Sequence, residues 1–144
     1  NDPDWAGEPG HEDDNRWAHR PRIDDARVAQ RDRDDAVAGR VFRGLSHLAK
    51  VRAGLPQLHA SAPVEVLTDT DDGLLAVVRR HPSGPMLCLY NVTGHHVALP
   101  LHRIHAAGLD APYDAIGGHA VTAGPDGDVW LPPYAAWWVV ESSA

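Results

Sequence analysis

The stretch from Leu74 to Val92, LLAVVRRHPSGPMLCLYNV, decides the fold of this 144-residue chain. It contains two apolar runs, Leu74 to Arg80 and Met86 to Val92, separated by Pro82-Ser83-Gly84-Pro85. Proline and glycine in such a cluster mark a turn, and short aliphatic runs bounded by turns are typical of strands. The stretch therefore predicts two neighbouring antiparallel strands.

The same alternation of apolar run and turn continues on both sides of this pair. Turn signals stand at Asp71-Asp72-Gly73, Ile116-Gly117-Gly118 and Pro125-Asp126-Gly127. Further strands are predicted at Val64 to Thr68, Val97 to Leu101, His119 to Thr122, Asp128 to Leu131 and Ala136 to Glu141. So many short strands predict a mostly β fold, a Greek-key antiparallel β-sandwich over residues 58–144.

One amphipathic helix is predicted before the sandwich, from Asp34 to Ala53. Apolar residues recur there at helical spacing, at Val37, Val41, Leu45 and Leu48. Asp34 or Asp35 is predicted to cap the N-terminus of this helix. Gly54, in a left-handed conformation, and Pro56 are predicted to end it.

Two glycines inside that helix, Gly39 and Gly44, each cost about 1 kcal/mol relative to alanine. The helix therefore needs tertiary packing, and we expect a close approach of another element at both glycines. The apolar stripe and the glycines together predict a second packing surface in a larger protein. The first residues, Asn1-Asp2-Pro3-Asp4-Trp5, show no initiator Met and no signal region, which fits that expectation.

Residues 1–35 are rich in Asp, Glu and Arg and contain almost no aliphatic side chains. Such a composition predicts a long polar loop without a core of its own. The alternation of Asp with Arg favours a loop ordered by ion pairs, and a disordered segment is the alternative. Asp13, Asp14, Asp24 and Asp25 are predicted to pair with arginines rather than to act in catalysis.

The composition excludes several classes of function. A net charge of -7 with a single lysine argues against binding to a nucleic-acid backbone. No apolar run approaches the roughly 20 residues that span a bilayer, so we expect no membrane segment. Cys88, the only cysteine, lies in an apolar run and is predicted to be a buried thiol in a reducing, cytoplasmic setting.

Within the polar loop stands the motif Arg16-Trp17-Ala18-His19-Arg20-Pro21. It is similar to the Arg-Trp-x-His-Arg-Pro motif of amylosucrases, the sucrose-acting branch of the alpha-amylase superfamily (glycoside hydrolase family 13), and carries most of the resemblance. The order of polar loop, helix and sandwich also resembles the C-terminal end of these enzymes. Weaker similarities are spread over the chain, at Asn1 to Trp5, Ala29 to Arg31, Ala38 to His47, Tyr90 to Thr93, Leu131 to Tyr134 and Trp137-Trp138.

The resemblance implies that residues 1–57 are the end of a (β/α)8 barrel and that 58–144 are an accessory sandwich. It implies retaining transfer of glucose from sucrose, to a glucan or to water, by the parent enzyme. The catalytic nucleophile and acid/base would lie upstream, so the chain alone is expected to be inert. Its partners would be the upstream barrel of the same parent, with sucrose and α-glucan as the parent's substrates. No cofactor is implied.

Among the residues of this chain, the resemblance places Arg16 in the substrate pocket. A guanidinium suits that role because its planar fork binds a carboxylate or vicinal hydroxyls. Asp14, Trp17, His19 and Arg20 are expected to order the loop near the site.

Three further signals are assigned structural roles. His95-His96 and His102-x-x-His105 are predicted on or beside strands, where neither pair would converge on a metal, so no metal site is expected. Trp137 and Trp138 are predicted on opposite faces, one in the core and the other at an interface or against a sugar. Asn91-Val92-Thr93 matches a glycosylation acceptor but is interpreted as a turn at a strand end.

The alternative function is a free-standing β-sandwich that binds carbohydrate or protein through exposed aromatic residues such as Trp130 or Trp138. The helix separates the two hypotheses. A C-terminal part of a larger enzyme should expose an apolar helix face, whereas a complete binding module should cover that face.

Overall fold

Eight short strands dominate residues 23–142, the range that the computed structural model describes. They are β1 (Val64–Val66), β2 (Leu74–Arg79), β3 (Met86–Asn91), β4 (Val97–Pro100), β5 (Pro112–Asp114), β6 (His119–Ala120), β7 (Asp128–Leu131) and β8 (Ala136–Glu141). Three α-helices accompany them: α1 (Asp25–Ala29), α2 (Val37–Ala53) and α3 (Leu101–Ala106). No helix in this range is long and apolar enough to cross a bilayer.

The strands form two antiparallel sheets, as the sequence predicted. Six strands pair in the order β1-β2-β3-β8-β5-β6, and β4 pairs with β7 in a second sheet. The chain leaves the larger sheet after β3 to form β4, returns to form β5 and β6, leaves again to form β7, and returns to place β8 beside β3. These crossings between sheets produce the predicted β-sandwich.

The core lies between the two sheets. Alternate residues of β2, β3, β4, β7 and β8 enter it, because side chains on a strand point to opposite faces in turn. Fully or almost fully buried members come from both sheets and from α3: Ala76, Val78, Leu87, Leu89, Val97, Leu99, Ile104, Val129, Leu131 and Val139.

The outer face of the larger sheet is also covered in its centre. Met86 and Cys88 point away from the core and are nevertheless buried. Arg79 lies on the same face, opposite Met86, and donates from Nε to the Gln57 carbonyl at 2.7 Å and from Nη2 to the His59 carbonyl at 2.9 Å. The 3-10 turn Pro56–Leu58 therefore lies on this face.

The chain divides into two compact units, with the division between Ser46 and His47. In the first unit, α1 and the 3-10 turn Gln30–Asp32 replace part of the predicted loop. The Asp24 carboxylate caps α1 by accepting from the Arg27 amide at 2.7 Å. An aspartate at the N-cap satisfies one of the free amides at the start of a helix and so favours a short helix here.

Helix α2 begins at Val37, later than predicted, and neither Asp34 nor Asp35 caps it. Their carboxylates pair with arginines instead, Asp34 with Arg43 and Asp35 with Arg33, each at 2.7 Å. The helix end also differs, because Gly54 is not left-handed. The last turn tightens, and the Gly54 amide donates to the Val51 carbonyl at 3.1 Å.

The two helix glycines behave differently. A Cβ on Gly39 would collide with the Arg33 carbonyl, so the predicted close approach is confirmed there. Gly44 has open space where its Cβ would be, so the described residues contain no such neighbour for it.

Two short elements were missed in the sandwich. Strand β5 lies in a stretch with no predicted structure, and α3 begins where β4 was expected to continue to Leu101. Both depend on contacts distant in sequence. The Glu141 carboxylate accepts from the Asp110 and Ala111 amides at 2.9 Å, which holds the entry to β5 against β8.

Candidate functional site

The residues predicted around the substrate lie outside the described range. They are Arg16, which was assigned to the pocket, and the loop-ordering residues Asp14, Trp17, His19 and Arg20. Their roles stay predictions. The described residues contribute two apolar surfaces, a polar network at the sheet crossing and a set of aromatic side chains.

Helix α2 presents an apolar face to solvent. Val37, Val41 and Leu45 stand four residues apart and therefore share one face, with exposures of 66%, 53% and 63%. Phe42 lies beside them, and the Arg31 guanidinium is 5.4 Å from its ring centroid. An apolar helix face of this kind is typical of a surface that packs against another element.

A second apolar strip lies at the edge of the larger sheet. Val64 and Val66 on β1 pair with Arg79 and Val77 on β2, so both point to the outer face. Leu75 of β2 lies on the same face, and all three aliphatic residues are exposed. The buried centre of the outer face is therefore bordered, at the β1 edge, by exposed aliphatic side chains.

Asn91 holds the crossing between the sheets. Its Nδ2 donates to the carbonyls of His95 at 2.7 Å and Pro132 at 2.8 Å, and its Oδ1 accepts from the Thr93 amide at 2.9 Å. The side chain is buried. The interpretation of Asn91-Val92-Thr93 as a strand-end turn is thus confirmed, since a buried, fully bonded amide does not present itself for glycosylation.

The sandwich matches a known family along its length. A family model described as the amylosucrase C-terminal domain matches residues 65–140, just over half of the chain. The chain belongs to this family. The matched range runs from β1 into β8 and includes the Asn91 and Trp137-Trp138 motifs, whereas the Arg16 motif lies outside it.

In this amylosucrase C-terminal-like domain, Asp114 is the one buried acidic residue among residues 23–142. Its carboxylate accepts from three backbone amides: Gly117 at 2.7 Å, Trp138 at 2.9 Å and Ile116 at 3.1 Å. The His119 ring lies farther away, with Nδ1 at 3.9 Å from Oδ2. A carboxylate bonded in this way fixes the β5–β6 turn against β8.

The two tryptophans of β8 point in opposite directions, as predicted. Trp137 packs against the core, and its ring meets His119 edge-on with centroids 5.5 Å apart. Trp138 lies half-buried on the outer face, where its Nε1 donates to the Tyr90 hydroxyl at 3.1 Å. Because Trp138 is partly covered there and stands opposite the buried Cys88, a packing role is favoured over sugar stacking.

The histidine pairs occupy other elements than predicted. His95 and His96 lie in the link between β3 and β4, and His102 and His105 lie on α3. The strand argument is therefore wrong for the second pair, because residues three apart share a face of a helix. Within residues 23–142, no group of three or more His, Cys, Asp or Glu side chains is placed to hold a metal.

A shallow depression of about 410 Å³ borders the end of α2 and is lined by residues between Arg52 and Ala60. Its walls are mainly the aliphatic side chains of Leu55, Pro56 and Leu58. His59 also lines it, and its Nδ1 is engaged with the Ser61 hydroxyl at 2.8 Å. No carboxylate lines the depression, so it lacks the acid pair of a glycoside hydrolase.

Proposed function

We propose that this chain is the C-terminal part of an amylosucrase-like retaining α-glucosyltransferase or hydrolase that acts on sucrose. Residues 1–57 would complete a (β/α)8 barrel, and residues 58–144 would form its accessory sandwich. The family match over residues 65–140 carries the proposal. The loop motif from Arg16 to Pro21 adds the sucrose specificity.

The exposed face of α2 supports a barrel partner. Burying a large aliphatic side chain fully is worth about 1.5–3 kcal/mol, and Val37, Val41 and Leu45 each retain more than half of their exposure. Covering all three would contribute a few kcal/mol, a large fraction of a domain's net stability. A free-standing module would be expected to cover this face within its own chain.

The chemistry of the proposed parent needs two carboxyl groups about 5–5.5 Å apart, one as nucleophile and one as acid/base. The buried Asp114 is bonded to backbone amides, so the described residues offer no buried pair of this kind. We therefore assign both groups to the upstream barrel and assign to this chain a supporting role. Arg16 would close the glucose pocket by pairing with an acidic residue of the barrel.

Sucrose turnover tests this assignment. The 144-residue chain alone is expected to release no fructose from sucrose, whereas the intact parent is expected to release fructose and to pass the glucosyl group to a glucan or to water. In the parent, Arg16→Ala is expected to lower kcat/KM by about 100-fold or more, because it removes a charged pocket contact. Arg80→Ala removes only an exposed pair with Glu65 and serves as the matched control. Sucrose cleavage by the isolated chain, or an unchanged kcat/KM for Arg16→Ala, would refute the proposal.

A further inference from the structure

Trp130 projects from the smaller sheet away from the core. Its neighbours on β7, Val129 and Leu131, are buried between the sheets, whereas Trp130 is 48% exposed. Its partner across the strand pair is Ala98, whose methyl group cannot cover an indole. The ring therefore stands on the outer surface of β4 and β7.

The indole is held in a fixed orientation. Its Nε1 donates to Oδ2 of Asp126 at 3.0 Å, and Oδ1 of Asp126 accepts from the Asp128 amide at 3.1 Å. The turn beneath is closed by the Gly124 amide, which donates to the Asp128 carbonyl at 2.8 Å. A ring already fixed in place loses little conformational entropy when a ligand packs against it.

The carboxylate of Asp126, next to the ring, is permanently charged at neutral pH. The Asp128 amide, and then the Trp130 indole, lower the pKa of Asp126 below its ordinary value, so the carboxylate is ionised at neutral pH. Each carboxylate oxygen has one further lone pair with which to accept a hydrogen bond. The site thus combines a flat apolar face with charged acceptors at its edge.

The surroundings do not resemble a protein-docking patch. By alternation along β4 and β7, the residues that share this face with Trp130 are Ala98, Pro100 and Asp128. None is a large aliphatic side chain, and Trp130 has no aromatic neighbour among residues 23–142. Apolar docking surfaces are larger, and cages for cationic ligands use several rings.

We propose that Trp130 and Asp126 form a surface binding site for a glucose-type pyranose ring. The axial C–H groups of such a sugar pack on the electron-rich indole face. Its equatorial hydroxyls donate to the free lone pairs of the Asp126 carboxylate, where charge strengthens the hydrogen bonds. The site needs nothing from a barrel domain, so it stands independently of the proposed sucrose activity.

The test uses the 144-residue chain and follows the indole N–H signals by NMR during titration with maltoheptaose and, separately, cellohexaose. The Trp130 signal is expected to shift with at least one oligosaccharide. The chemical shift of Trp138 is expected not to change, because its indole N–H is bonded to Tyr90. Trp130→Ala is expected to weaken binding about tenfold or more, as for other central aromatic contacts. Tyr134→Ala, another exposed aromatic at 74%, is the matched control and should bind as the unaltered chain does.

Asp126→Ala provides a second arm if Trp130→Ala fails to fold, because the residue lies in an exposed turn. This substitution removes the acceptor for the sugar hydroxyls and the bond that orients the Trp130 ring, so sugar binding should weaken severalfold. Two results would overturn the proposal: no shift of the Trp130 signal with either sugar up to about 10 mM, whether or not an arginine-containing peptide shifts it, or unchanged affinity in both variants. Because binding is measured without a barrel, its failure leaves the test of sucrose turnover untouched.

Discussion

The side-chain nitrogen Nδ2 of Asn91, at the end of β3, lies 2.8 Å from the carbonyl oxygen of Pro132, just beyond β7 in the other sheet. The same nitrogen reaches the carbonyl of His95 in the link that leads to β4. One buried side chain therefore joins the first exit of the chain from the larger sheet, after β3, to its last return, between β7 and β8.

Asn91→Ala is expected to lower the free energy of unfolding by about 2–4 kcal/mol, since it breaks several bonds and leaves buried carbonyls without donors. Asn91→Asp should destabilise at least as much at neutral pH, because an oxygen would then face those carbonyls. Urea unfolding followed by circular dichroism measures both changes. Val92→Ala, at an exposed neighbouring position, should cost under about 0.5 kcal/mol. A small effect at Asn91 would contradict its role in joining the sheets.

Alanine substitutions at the two helix glycines are expected to have opposite effects. Gly44→Ala should stabilise α2 by up to about 1 kcal/mol, because alanine is the better helix former and its methyl group meets open space. Gly39→Ala should weaken the packing of the helix start, because its Cβ would strike the Arg33 carbonyl. Amide hydrogen exchange within α2 distinguishes the two variants. Equal protection in both would show that Gly39 is not closely packed.

Acid titration should report the bond between Asp126 and Trp130. Because the folded-state pKa of Asp126 is lowered, the bonded carboxylate persists at ordinary pH and is lost only as the pH falls through a value below 3.8. The Trp130 indole signal should change over that range, and Asp126→Asn should abolish the change. The Trp138 signal serves as an internal control, since its acceptor is the Tyr90 hydroxyl. A Trp130 midpoint above 3.8 would contradict the assignment.

Cys88 offers a probe of global unfolding. Burial raises the pKa of its thiol above the ordinary value of 9.0, so the folded chain keeps it protonated and shielded. Alkylation at pH 8 is expected to be slow in buffer and fast in denaturing urea. The linked effect on stability has a definite sign: it is present below pH 9.0 and is lost as the pH rises toward the folded-state value. Rapid alkylation of the folded chain would show that the outer face opens locally.

Hydrophobic patterning and turn residues were sufficient to predict the sandwich. β2 and β3 carry long apolar runs around a clear Pro-Gly turn, so local signals and tertiary packing agree there. β5 begins with proline and is short, and its position depends on pairing with β8. α3 is a single helical segment whose Leu101 extends the apolar pattern of β4, so periodicity alone could not separate them.

The roles of the candidate functional residues were harder to predict from the sequence than the fold. Asp126 was interpreted only as a turn residue, yet its spacing of four from Trp130 lets the two side chains meet across the end of a strand. Asp114 was given no role, because one of the three backbone amides that it binds, that of Trp138, lies far away in the sequence. The roles of Arg16 and its loop depend on a resemblance, and they stay predictions.

The two edges of the larger sheet are very short, and this affects how the chain can self-associate. β1 has three residues, with Glu65 and its partner Arg80 charged at that edge, and β6 has only two residues. Edges this short offer few free backbone groups for ladder extension by another chain, and the charges at the β1 edge oppose it further. Aggregates of the isolated chain should therefore form through the exposed apolar residues of α2 and β1. They should dissolve in mild detergent and should not bind a dye that detects amyloid fibrils.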